Sequence, residues 1–177
     1  MKRVHEPGRL DVAAFAADAA RLDGTTPVAR FTRLADFIAP DVPDEQVRWQ
    51  ARGELRRPGA VEPQTWMHLD AAATAWMTCQ RCLQPVDIPL EVHRAIRFVR
   101  GEDEAARLDA QAEDDVLPLE RTLDLPELVE DELLLALPIV PRHEHCPSPL
   151  PAPAAAPEEQ EPAESPFAAL AALKRKR

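Results

Sequence analysis

Tyrosine is absent from this 177-residue sequence, aromatic residues make up only 5%, and there are five glycines and three cysteines. Each shortage excludes something. Much of the 45% apolar content is alanine, which buries little area per residue. A chain of this length and composition supports one domain with a modest core, plus tails. No glycine-rich loop is present to cradle a phosphate, and the scattered serines sit in no nucleophile elbow, so an enzyme reading has little support. An odd cysteine count argues against a disulfide framework. The start, Met1-Lys2-Arg3-Val4-His5-Glu6, has no apolar run behind its basic residues, so a secretory signal is not expected. No apolar stretch approaches the ~20 residues that span a bilayer. A reducing cytoplasm is the expected compartment, with no membrane and no small-molecule substrate. No internal repeat is visible.

What the chain has in quantity is proline, nineteen residues, and acid, with a net charge of -10. Both are unevenly placed. Pro, Ala and Glu dominate residues 147–164, which lack the side chains to offset ordering entropy and are expected to be a disordered linker. Ser165-Pro166 then opens a short helix over 165–177, with Phe167, Leu170 and Leu173 along one edge. Lys174, Arg175, Lys176 and Arg177 follow at its C-terminus, where cations suit the helix dipole. Residues 1–146 are left as a single domain. Within it, residues 101–146 carry a charge of -11, whereas residues 47–100 carry +3. The middle of an acidic protein is therefore basic.

Hydrophobic periodicity organises that domain. Val12, Phe15, Ala16, Ala19 and Leu22 recur at helical spacing, which predicts a helix over 11–22 stopped by Gly24. Arg30 to Leu34 reads as a short helix or as the start of the sheet. Val47 to Arg56 alternates, as do Trp66 to Cys79 and Val86 to Phe98, predicting three strands of an antiparallel sheet. A parity break at Arg94 suggests a bulge, and Pro89 an edge position. Residues 101–116 hold seven carboxylates and one arginine and read as a mobile acidic loop. Asp124-Leu125-Pro126-Glu127 starts a helix that runs to about Leu137 before Pro138. Its leucines should pack on the sheet, leaving Glu130, Asp131 and Glu132 exposed. The expected class is α+β: an antiparallel sheet, open or curled towards a barrel, covered by helices.

Two constellations carry chemistry. Cys79-Gln80-Arg81-Cys82, followed by Pro85, places two thiols at a turn between two strands. Cys146, with His143 or His145, can complete a tetrahedral donor set for zinc. The alternative is three reduced, semi-buried thiols. A thioredoxin-like pair fits less well, because the motif opens no long helix. The second constellation is Arg48, Arg52 and Arg56 on the polar face of one strand, joined by Arg81 at the turn. It reads either as solvated decoration or as a stripe for phosphate.

The Cys79–Cys82 motif with Pro85 stands in a fixed order with four other blocks. These are Leu125 to Val129, then Glu130 to Pro141, then His143 to Cys146, and finally Pro166 to Lys174. Together they resemble the YceD family, bacterial proteins named for accumulation of the large-subunit ribosomal RNA. The resemblance spans roughly Val47 to Arg177, with a gap across the linker. It implies a non-enzymatic factor in synthesis, processing or stability of that RNA, with RNA, ribosomal proteins or assembly precursors as partners. It carries over no catalytic residue. Two other readings stand beside it. One is an acidic protein-binding adaptor with no direct RNA contact, because an RNA binder normally shows a basic footprint. The other is a zinc-binding or redox protein built on the Cys-x-x-Cys.

Overall fold

The computed structural model describes residues 3–59 and 62–147. The expected terminal helix, with Lys174, Arg175, Lys176 and Arg177, lies outside them, as does all of the expected linker beyond Pro147.

Five strands form one open sheet in the order β1-β2-β3-β4-β5. They are β1 (Arg21–Pro27), β2 (Gln46–Arg56), β3 (Gln64–Thr78), β4 (Pro85–Val99) and β5 (Asp115–Pro118). The first four pair antiparallel with their sequence neighbours, and β5 joins β4 in parallel. No ladder joins β1 to β5 among the described residues, so the α+β sheet does not close into a barrel. Helices α1 (Val12–Ala17), α2 (Thr32–Ala35) and α4 (Leu125–Leu135) contribute Phe15, Leu34, Leu125, Val129 and Leu133 to the core. These meet Val47, Ala51, Met67, Leu69, Leu90 and Ile96 from one face of the sheet. Helix α3 (Glu102–Asp109) lies against β4 and β5.

The alternation in β2, β3 and β4 is what the sheet uses. Val47, Trp49 and Ala51 are buried, while Arg48 and Gln50 between them are exposed. Helix α4 starts as its capping residue dictates: the Asp124 carboxylate accepts a hydrogen bond from Glu127 N at 3.1 Å.

Four expectations are corrected. The first helix is half the expected length. Asp11 caps it, but Ala19 turns into the left-handed region at φ 46° and the chain feeds β1. Close packing sets that limit. A Cβ at Gly53 would lie 2.5 Å from the carbonyl oxygen of Phe15, so α1 sits directly on β2. Gly24, expected to stop the helix, lies inside β1 beneath the Trp49 ring, where a side chain would collide at 2.5 Å.

The acidic segment is not a loop. Glu102, Asp103 and Glu104 sit in the first turn of α3, where negative charge suits the helix dipole. Arg107 donates to Glu104 at 2.7 and 2.9 Å. Asp109 accepts from Val116 N at 3.1 Å, which anchors β5.

There is no bulge at Arg94, because β3–β4 pairing runs unbroken from Thr78↔Pro85 to Thr65↔Phe98. Arg94 keeps the parity of Val92 and Ile96 and points to the helix side, donating to Glu132 at 2.8 Å. Glu130 and Glu132 are accordingly buried, at 7% and 8% exposure, against the expectation from their charge. Each has the partner that burial of a carboxylate requires. Glu130 accepts from Arg33 N at 2.7 Å and Leu34 N at 3.1 Å, and from the Arg33 guanidinium at 3.1 and 3.2 Å.

Candidate functional site

The turn between β3 and β4 is built by its own backbone. Cys79 N donates to Gln84 O and Leu83 N to Cys79 O, both at 2.9 Å. Leu83 takes the left-handed conformation at φ 60°, which lets six residues reverse the chain. The segment leaving α4 then crosses this turn. Gln80 N donates to Pro141 O at 2.9 Å, so the strand-end thiols and residues 143–146 are brought together.

The result is a compact donor cluster. One ligand atom from each of Cys79, Cys82, His143 and Cys146 lies within 4.8 Å of every other. Cys79 Sγ and Cys146 Sγ are 3.9 Å apart, and Cys82 Sγ is 3.4 Å from His143 Nδ1. Four donors about 2.0–2.3 Å from one tetrahedral ion would stand about 3.5–3.8 Å apart, so the spacing fits a metal. Cys79 and Cys82 are buried, whereas His143 and Cys146 are half-buried.

The electrostatics of the thiols differ. Burial opposes ionisation of Cys79, but hydrogen bonds from the backbones of His143, Arg81 and Cys82 outweigh it and hold the thiol down at about 5. Burial raises Cys82 above the usual 9.0, with the neighbouring sulphurs adding to it. Arg81 closes the cluster. Its Nε donates to Cys146 Sγ at 2.9 Å, and its Nη2 donates to His143 O at 2.8 Å and Glu144 O at 3.2 Å. The hydrogen bond to Cys146 raises its own pKa further.

Of the expected metal ligands, all four are brought together, and His143, not His145, is the histidine. The basic row is more divided. Arg48, Arg52 and Arg56 do share the solvent face of β2, opposite the helix layer. Arg48 is exposed and has no ion-pair partner among the described residues. Arg52 and Arg56 both approach Glu54, at 3.9 and 3.1 Å, and Glu54 is also 2.6 Å from His68. Arg56 stacks over the Trp66 ring, 3.9 Å from its centre. Arg81 is not part of this row. Arg48 pairs with Ala72, and the six further residues of β3, roughly 20 Å, separate it from Cys79.

Sequence reading missed Arg21. It lies directly across from Arg52 on β1 and is exposed, so it extends the row onto the next strand. The alternation of Leu22, Gly24 and Thr26 was the signal for it, masked by the helical spacing before. Beside the row, Asp23, Thr25, Arg48, Gln50, Asp70, Glu91 and His93 surround a trough of about 500 Å³ on the open sheet face. Cations and carboxylates therefore alternate across this surface.

Fold and site together define an α+β protein with an open sheet face and a Cys-x-x-Cys cluster closed by residues that follow α4. Residues 67–174 match the sequence profile of the family described as "Large ribosomal RNA subunit accumulation protein YceD". A protein of Haemophilus influenzae bearing the same description is 32% identical over 152 residues, which cover 81% of this chain and 82% of that protein. The chain belongs to the YceD family. No solved structure matches it. No described helix is long and apolar enough to cross a membrane.

Proposed function

We propose that this protein acts without catalysis in the synthesis, processing or stability of large-subunit ribosomal RNA, contacting the RNA or a ribosomal protein bound to it. The observation that carries the reading is a sheet face that no described element covers, bearing Arg21, Arg48, Arg52 and Arg56, in a chain of the YceD family. Phosphate contacts need local positive charge, not a basic protein. Lys174, Arg175, Lys176 and Arg177 supply a second cationic stretch. The carboxylates between the arginines, and the acidic helix side, oppose loose binding to bulk RNA and favour one shaped site.

The test compares association with large-subunit precursors for wild type, an Arg48/Arg52/Arg56→Gln triple variant, and a truncation after Glu164. The log–log salt dependence should flatten by about one for each phosphate that the variant no longer neutralises. If both variants associate with precursors and sustain large-subunit RNA as the wild type does, the arginines are solvated decoration.

A second reading, a protein-binding adaptor, draws on a different surface. Phe37, Leu135, Ile139 and Val140 are exposed apolar residues in a protein with few large ones. Phe37 and Ile139 line a groove with Leu134 and Leu137. Such a patch suits protein and not phosphate. Wild-type behaviour of both basic variants would favour it.

The donor cluster receives zinc in this reading. Three thiolates and an imidazole are the donors that zinc takes in closed, four-coordinate structural sites. The ion would tie residues 143–146 to the β3–β4 turn, a folding role and not a catalytic one.

A further inference from the structure

We propose that Arg81 is the counter-charge and clamp of the metal site, and not a contact for RNA phosphate. The inference rests on the zinc reading of the cluster. Three thiolates, a neutral histidine and a divalent ion leave a net charge of -1 in a largely buried place. A single guanidinium held against one of the sulphurs brings that to zero. Arg81 is placed for this: its Nε–H points at Cys146 Sγ from 2.9 Å, and no carboxylate competes for it among the described residues.

The second half of its fork does a different task. Nη2 donates to the carbonyls of His143 and Glu144, the backbone that carries two of the four ligands. This segment has no regular secondary structure of its own. Cys79 and Cys82 are fixed by the strand ends and the turn hydrogen bonds, but His143 and Cys146 have no such frame. Arg81 sits between Cys79 and Cys82 in sequence, so the rigid half of the site reaches across to hold the loose half. Lysine offers the charge without the planar fork, and glutamine offers neither the charge nor the reach. Nε and Nη2 are engaged to sulphur and carbonyl oxygens, which leaves only Nη1 for a phosphate and no bidentate edge.

Outer-shell partners of this kind typically contribute 10–100-fold to metal affinity. The experiment uses the full chain, loaded with zinc, and measures zinc transfer to a chromogenic chelator. Cobalt substitution reports the ligand set in parallel. Arg81→Gln should bind zinc 10–100-fold more weakly while its cobalt complex keeps the tetrahedral three-sulphur spectrum. Arg81→Lys should fall between the two. The salt slope of precursor association should not change in the zinc-loaded Arg81→Gln protein. Arg81→Gln with wild-type zinc affinity would overturn the assignment, as would a salt slope reduced by one in the loaded variant. A wild-type chain that takes up neither zinc nor cobalt would instead remove the metal reading itself. Arg121→Gln, an exposed arginine away from the cluster, is the control expected to match wild type in every measurement.

Discussion

Glu130→Ala should be among the more damaging single changes in α4, although the residue is a carboxylate in a run of three. Helix α2 begins after Phe31, whose side chain cannot accept a hydrogen bond, and it has no cap of its own. The Glu130 carboxylate takes that place from another helix: one oxygen accepts from both Arg33 N and Leu34 N. Losing a cap costs about 1 kcal/mol. Leaving the buried Leu34 N–H without an acceptor adds about 1–2 kcal/mol. The Arg33 ion pair adds little, because the guanidinium side is 47% exposed and screened by solvent. The sum is roughly 2–3 kcal/mol, a fall in Tm on the order of 10 °C for a domain of this size. Glu130→Gln keeps one acceptor oxygen and should lose about 1 kcal/mol. The neighbouring Asp131→Asn, which breaks only a pair exposed on both sides, should stay within about 1 kcal/mol of wild type. Urea unfolding of the three variants checks the order. If Glu130→Ala unfolds within about 0.5 kcal/mol of wild type, as an ordinary surface substitution does, the capping argument is wrong.

Two further outcomes are expected. Gly53→Ala should destabilise sharply and shift the near-ultraviolet signal of Trp49 and Phe15, because the added carbon meets backbone at 2.5 Å and not a movable side chain; unchanged stability by calorimetry would show that α1 can lift off β2 freely. Glu54 has its pKa lowered from 4.5 by hydrogen bonds from His68 and then Arg56. Its contribution is thus complete above pH 4.5 and is lost as pH falls through the lower folded value. Glu54→Gln should flatten the acid limb of the stability curve and leave its shape near neutral pH alone, as read from urea midpoints across pH.

Much of the sheet was legible because β2, β3 and β4 are half-buried strands, and a half-buried strand writes its two faces into alternate residues. The α4 start was legible from Asp124, since a cap is a local bond between neighbours. Trouble came where distant contacts decide. Glu130 and Glu132 read as exposed because charge is normally exposed, yet their partners, Arg33 and Arg94, lie 97 and 38 residues away. Nothing local announces such a pair. The first helix ran too long on paper because Ala19 and Leu22 continue its spacing; the limit is the packing at Gly53, another non-local fact. The thiol cluster was legible down to its cysteines. Choosing His143 over His145 depends on how the chain crosses the turn, which Gln80 and Arg81 determine by bonds to main-chain carbonyls.

The distance in sequence between the two halves of the thiol cluster has a consequence for how the protein is made. Cys146 follows Cys79 by 67 residues. At about 5–20 residues per second, translation delivers the β3–β4 turn some 3–13 s before the residues that close over it. For most of that interval the hairpin has its thiols but not their partners, and the sheet has α1 and α2 but not the leucines of α4. A newly made chain therefore passes through a stage in which two adjacent thiols are open to oxidants and stray metals. The cluster closes only when the residues that follow α4 arrive, so a chain that stops before residue 143 leaves Cys79 and Cys82 without His143 and Cys146.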